Sequence, residues 1–125
     1  MIAPVDGEGR IRILLAELPS MMRDIVRETL ETETDMAVVE LGGRDALMGA
    51  LEAGSADVVI VGASEPEQPA LPLRFLAKSP GVKVLMLGTS GRRAMMYEFR
   101  PHCTPLVDVS PRRLLHAIRS ALVQA

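Results

Sequence analysis

A chain of 125 residues and 13.5 kDa has room for one domain, and its 48% apolar and 24% charged residues exclude a disordered chain. Its apolar runs fall far short of the roughly 20 residues a membrane-spanning helix needs, and a single cysteine, Cys103, excludes an internal disulfide and points to a reducing, cytoplasmic compartment. A net charge of −2 and three aromatics (Phe75, Tyr97, Phe99), without tryptophan, argue against direct nucleic-acid binding through stacked bases.

The small net charge conceals an asymmetry. Residues 1–91 carry 14 acids against 8 bases, a balance of −6, whereas residues 92–125 carry six arginines against Glu98 and Asp108, a balance of +4. A cationic end of this kind is a solvated face or a docking surface.

Along the chain, residues 1–10 show no period and no signal-peptide core and read as a flexible leader, with the domain over 11–125. Five short apolar runs follow: Ile11–Ala16, Ala37–Leu41, Val58–Val61, Val82–Leu87 and Leu106–Val107. Their starts lie 26, 21, 24 and 24 residues apart, the spacing of repeated strand–helix units. They are short and rich in β-branched residues, as strands buried on both faces of a parallel sheet are.

Between these runs the period becomes helical. Met22, Val26 and Leu30, with Met21 and Ile25, mark one apolar stripe after Pro19-Ser20. Arg44–Ala53 places Leu47 and Leu51 four apart and stops at Gly54. Leu71–Lys78 closes at Pro80-Gly81, and a further helix is expected over Arg92–Arg100, stopped by Pro101. Ser110-Pro111 starts the last helix, with Leu114, Leu115, Ile118 and Leu122 as its stripe. The expected fold class is α/β: a (βα)5, three-layer α/β/α sandwich on a parallel five-stranded sheet of order 2-1-3-4-5, in the flavodoxin-like manner.

Such folds place their sites at the carboxyl ends of the strands. Those ends hold Glu17-Leu18, Gly62-Ala63-Ser64-Glu65-Pro66, Gly88-Thr89-Ser90-Gly91 and Val107-Asp108. From Ile11 to Leu122 the chain resembles the receiver domains of bacterial two-component response regulators. The resemblance is carried by Ile13-Leu-Leu-Ala-Glu17, Arg23, Asp57-Val-Val-Ile-Val, Pro66, Val82-Lys-Val-Leu-Met-Leu and Asp108-Val-Ser-Pro-Arg-Arg-Leu-Leu-His-Ala-Ile.

The departures from that family carry more information. The resemblance puts the phosphoacceptor aspartate on Gly62, which has no nucleophile for acyl phosphate chemistry. It puts the metal-holding acidic pair on Glu17-Leu18, the lysine on Val107, the switch hydroxyl on Gly88 (with Thr89 adjacent) and the aromatic switch partner on Thr104. One carboxylate of the pair is too few oxygen ligands for Mg²⁺, so no metal and no cofactor is expected. Glu17 reads as a solvated carboxylate before it reads as a residual ligand. His102 and Cys103 are adjacent but lack the companions of a zinc site, and His116 reads as a surface residue.

Two functions of different class follow. The first is a non-catalytic, phosphorylation-independent receiver-like signalling module that acts by binding protein partners. The 125 residues leave no length for a DNA-binding output domain. The second is a flavodoxin-like domain that binds a nucleotide or other anion through Gly88, Thr89, Ser90, Gly91, Arg92 and Arg93, a loop read as a nest ahead of a helix. A conventional receiver phosphorylated at Ser64 or Asp57 is a third, weaker reading, since Asp57 sits at the opposite end of its strand.

For the first reading, the partner or homodimer face is expected on the helix over Arg92–Arg100 and on the last helix. There Met95, Met96 and Phe99 serve the core, while Tyr97 stands exposed among Arg93, Arg100, Arg112, Arg113 and Arg119. A partly covered tyrosine beside snorkelling arginines is the plainer account of the same residues.

Overall fold

The computed structural model describes residues 9–90, 92–100, 105 and 110–123, the side chains of 120–123 excepted. In chain order the elements are β1 (Ile11–Ala16), α1 (Ser20–Glu31), β2 (Met36–Glu40), α2 (Arg44–Glu52), β3 (Val58–Ala63), α3 (Ala70–Lys78), β4 (Lys83–Gly88), β5 (Ala94–Tyr97) and α4 (Pro111–Val123). The five strands form one sheet of order β2-β1-β3-β4-β5.

From β1 to β4 the strand–helix alternation is as the sequence spacing predicts. The pairs β1–β2, β1–β3 and β3–β4 are parallel. The alternating side chains of each strand divide between two apolar layers. Leu14, Val59, Val61, Val84 and Met86 pack with Leu47 and Leu51 of α2 and with Phe75 and Leu76 of α3. Ile13, Leu15 and Ile60 face the other way, where Met22, Val26 and Leu30 of α1 cover them. Gly54 ends α2 at φ +68°, a left-handed position that suits glycine and closes the helix.

The last pairing corrects the sequence reading. β5 runs antiparallel to β4, with Leu85 opposite Met96 and Val84 opposite Tyr97. The sheet is therefore mostly parallel with one antiparallel edge, and the segment expected as a helix over Arg92–Arg100 contains a strand. The physical reason is the length of the connection. Residues 89–93 are too few for a parallel crossover, which takes about a dozen residues or more, but suffice for a hairpin. Gly88 N–H donates to Arg93 O at 2.8 Å and closes that hairpin. The expected strand at Leu106–Val107, the leader over residues 1–8, and His102, Cys103 and Thr104 lie outside the described residues.

The strand geometry also reverses the predicted roles of the segment's side chains. Met95, Met96 and Phe99, expected in the core, are exposed. Tyr97, expected at the surface, is half-buried against the α2/α3 layer, and its hydroxyl donates to Pro66 O at 2.8 Å. On α1, Met21 and Ile25 are exposed although the stripe reading grouped them with the core. The start of α4 is as expected. Pro111 is its first residue, and Ser110 Oγ accepts from Arg113 N–H at 3.2 Å.

Among the described residues, no helix is long and apolar enough to cross a membrane.

Candidate functional site

The carboxyl edge of the sheet reverses its crossover direction between β1 and β3, where open α/β sheets form their sites. Glu17 follows β1 with φ +56°, a left-handed backbone that a residue with a side chain adopts at a cost of about 1–2 kcal/mol. This turn points the Glu17 carbonyl at Gly62 of β3. A Cβ placed on Gly62 would lie 2.5 Å from Glu17 O and 3.3 Å from Leu18 Cδ2. Leu18 is itself buried and belongs to the α1-side layer. The position that the resemblance assigns to the acceptor aspartate is thus packed against backbone, with no space for a side chain.

The neighbouring position is closed in the same way. A Cβ on Gly88, at the carboxyl end of β4, would meet Arg93 O at 2.8 Å and Pro66 Cγ at 3.5 Å. Pro66 is buried there, between the hairpin and the Tyr97 hydroxyl. Glycines at two strand ends are what allows the turn after β1 and the hairpin after β4 to come so near the sheet. An isolated glycine inside a strand pattern is the sequence sign of such an approach, and Gly62 carries it.

Glu17 is exposed, as a solvated carboxylate is expected to be, and it has a cationic partner. Its Oε2 accepts from the Arg44 guanidinium at 2.9 Å, which ties the turn after β1 to the start of α2. Beside it, on the α1 side, a cleft of about 200 Å³ is lined by Leu15, Glu17, Leu18, Arg23, Glu40 and Leu41 among others. Its charged groups are drawn together, although the buried Arg23 Nε has no hydrogen-bond partner. Arg27 donates to Glu40 at 2.8 Å, and Arg23 Nε lies 3.9 Å from the same carboxylate. Among the described residues, no group of three or more His, Cys, Asp or Glu is placed to hold a metal ion.

The loop read as an anion nest, Gly88–Arg93, leads into a strand, not a helix. Among its described residues, two amides are used within the fold. Gly88 N–H donates to Arg93 O, and Thr89 N–H donates to Ala63 O at 3.0 Å. Thr89, Ser90, Arg92 and Arg93 are exposed, and Arg93 pairs with Glu67. Gly91 and Val107 lie outside the described residues. Ser64 is exposed after β3, while Asp57, at the amino end, accepts from Arg12 N–H at 2.8 Å.

Of the expected partner face, Arg100 pairs with Glu98. Arg112, Arg113, His116 and Arg119 stand on the exposed surface of α4. Tyr97 is withdrawn from that face by its bond to Pro66. Comparison with family models, with curated proteins and with solved structures returned no match.

Proposed function

We propose that this chain is a phosphorylation-independent, receiver-like signalling module that works by binding a protein partner rather than by catalysis. One observation carries the reading: the place of a phosphoacceptor, Gly62, is filled by the Glu17 carbonyl 2.5 Å from any Cβ built there. Acyl phosphate formation needs a carboxylate nucleophile and a cation beside it. The carboxylate that follows β1, Glu17, is held by Arg44 instead. Use of the Gly88 and Thr89 amides within the fold, and a strand where a helix start was expected, disfavour the anion-binding alternative.

The test has two arms. Incubation with Mg²⁺ and a small acyl phosphate donor is expected to leave the intact mass unchanged. A stoichiometric gain of one hydroxylamine-labile phosphoryl group overturns the proposal. In the second arm, the full chain is immobilised and challenged with extract of its native cell, with and without the donor. The same proteins should be retained in both conditions. Retention only in the presence of donor, or no specific retention at all, counts against it.

A further inference from the structure

The two faces of the sheet are covered unequally. Among the described residues, two helices, α2 and α3, close one face, while α1 alone is packed on the other, toward the β2 side. Packed helices sit about 8–10 Å apart and strands about 4.8 Å apart. A neighbour of α1 would therefore lie two strands over, above β3 and β4. There the side chains of Leu85 and Leu87 are only half-buried, and Met96 of β5, directly opposite Leu85, is 52% exposed.

The flank of α1 that borders this opening is identified by its own ion pairs. Arg23 and Arg27 reach Glu40 on β2, so they mark the outer flank. At about 100° per residue, Met21 and Ile25 fall on the opposite flank, toward β3 and β4. Both are exposed, Met21 at 76%. The result is a helix-wide groove with an apolar floor and an apolar wall.

The chain also carries a helix with the complementary surface. Leu114, Leu115 and Ile118 of α4 fall within one arc of about 100°, and all three are exposed, Ile118 at 52%. Arg112, Arg113 and Arg119 lie outside that arc. A helix of 13 residues is marginal in water unless its apolar face is covered. Each copy thus presents an open groove and an uncovered stripe, with the stripe in the +4 segment and the α1, β3 and β4 parts of the groove in the −6 segment.

We infer that a second copy of this chain lays its helix α4 into the groove beside α1, and that two copies exchange these helices reciprocally. The exchange is isologous, so it closes at a dimer and leaves no further stripe exposed. The inference rests on the two apolar surfaces alone and does not require the signalling reading.

The test mixes two single-cysteine chains, Ile25→Cys and Leu115→Cys, both carrying Cys103→Ser. Both new cysteines replace exposed side chains. Mild oxidation should give a disulfide-linked heterodimer, and sedimentation of the unmodified chain should show dimers whose dissociation constant rises at least tenfold in Ile118→Glu, about 1.4 kcal/mol. Far-UV circular dichroism checks that each variant is folded. If the double variant in one chain cross-links only internally, the helix lies in its own groove and the inference is wrong. It is equally wrong if no cross-link forms, or if the unmodified chain sediments as a monomer at hundreds of micromolar.

Discussion

Replacing Gly62 by alanine adds one methyl group at the point where the turn after β1 touches β3. In an open strand position this change stabilises a protein by roughly 0.5–1 kcal/mol, because glycine loses more backbone freedom on folding. Here the added Cβ would lie 2.5 Å from the Glu17 carbonyl oxygen. An ordinary C···O contact is no closer than about 3.3 Å, so the two segments must part by about 0.8 Å. The obstacle is backbone, held by the left-handed Glu17 and by the Arg44 pair, and cannot swing aside as a side chain would. Overpacking of this kind costs about 1–3 kcal/mol. After the entropic gain, Gly62→Ala should be destabilised by about 1–2 kcal/mol.

Urea unfolding with linear extrapolation measures this directly. With a slope near 2 kcal/mol/M, the midpoint should fall by about 0.5–1 M, and thermal unfolding should come about 4–8 °C lower. Gly49→Ala provides the opposite sign in the same protein. Gly49 lies within α2 with nothing within 4 Å of a built Cβ, so alanine there should raise stability by about 0.5–1 kcal/mol. If Gly62→Ala proves as stable as the parent chain, the packing account of the closed acceptor position fails.

Three further outcomes follow from single contacts. Tyr97→Phe removes the donor to Pro66 O and should cost about 1 kcal/mol in urea unfolding; a neutral change would mean that water satisfies the carbonyl equally well. Gly54→Ala forces a side chain into φ +68° and should cost about 1 kcal/mol by the same measurement, despite the open space around it. Ser110→Ala removes the cap accepted from Arg113 N–H and should destabilise α4 by about 1 kcal/mol, read as faster hydrogen exchange at the Arg113 amide with β1 and β3 unaffected.

Three of the expected strand–helix units, β1–α1, β2–α2 and β3–α3, survive in the structure because each has two independent signals in the sequence. Val58-Val-Ile-Val is too short and too β-branched for a helix, and Leu47 and Leu51 recur at a helical interval before the stop at Gly54. Ala94-Met-Met-Tyr has neither signal. Four apolar residues in a row fit the face of a helix as well as a strand, and no periodicity extends beyond them. Their state was decided by the free edge of β4, whose N–H and C=O groups need partners, and by a connection too short to reach that edge in parallel.

The candidate site divides in the same way. That the chain has no carboxylate at the end of β3 and one acid after β1 is a property of the sequence, and it settles which side chains are available for chemistry. Why glycine fits best at Gly62 is a tertiary matter: the Glu17 carbonyl comes from a turn 45 residues earlier in the chain and approaches only once β1 and β3 have paired. The same holds for Tyr97, whose burial depends on Pro66, 31 residues away. Local sequence determines which segments extend, which coil and which groups they carry. Contacts between segments distant in the chain decide direction, burial and the space left for a side chain, because these are properties of two backbones meeting rather than of either one.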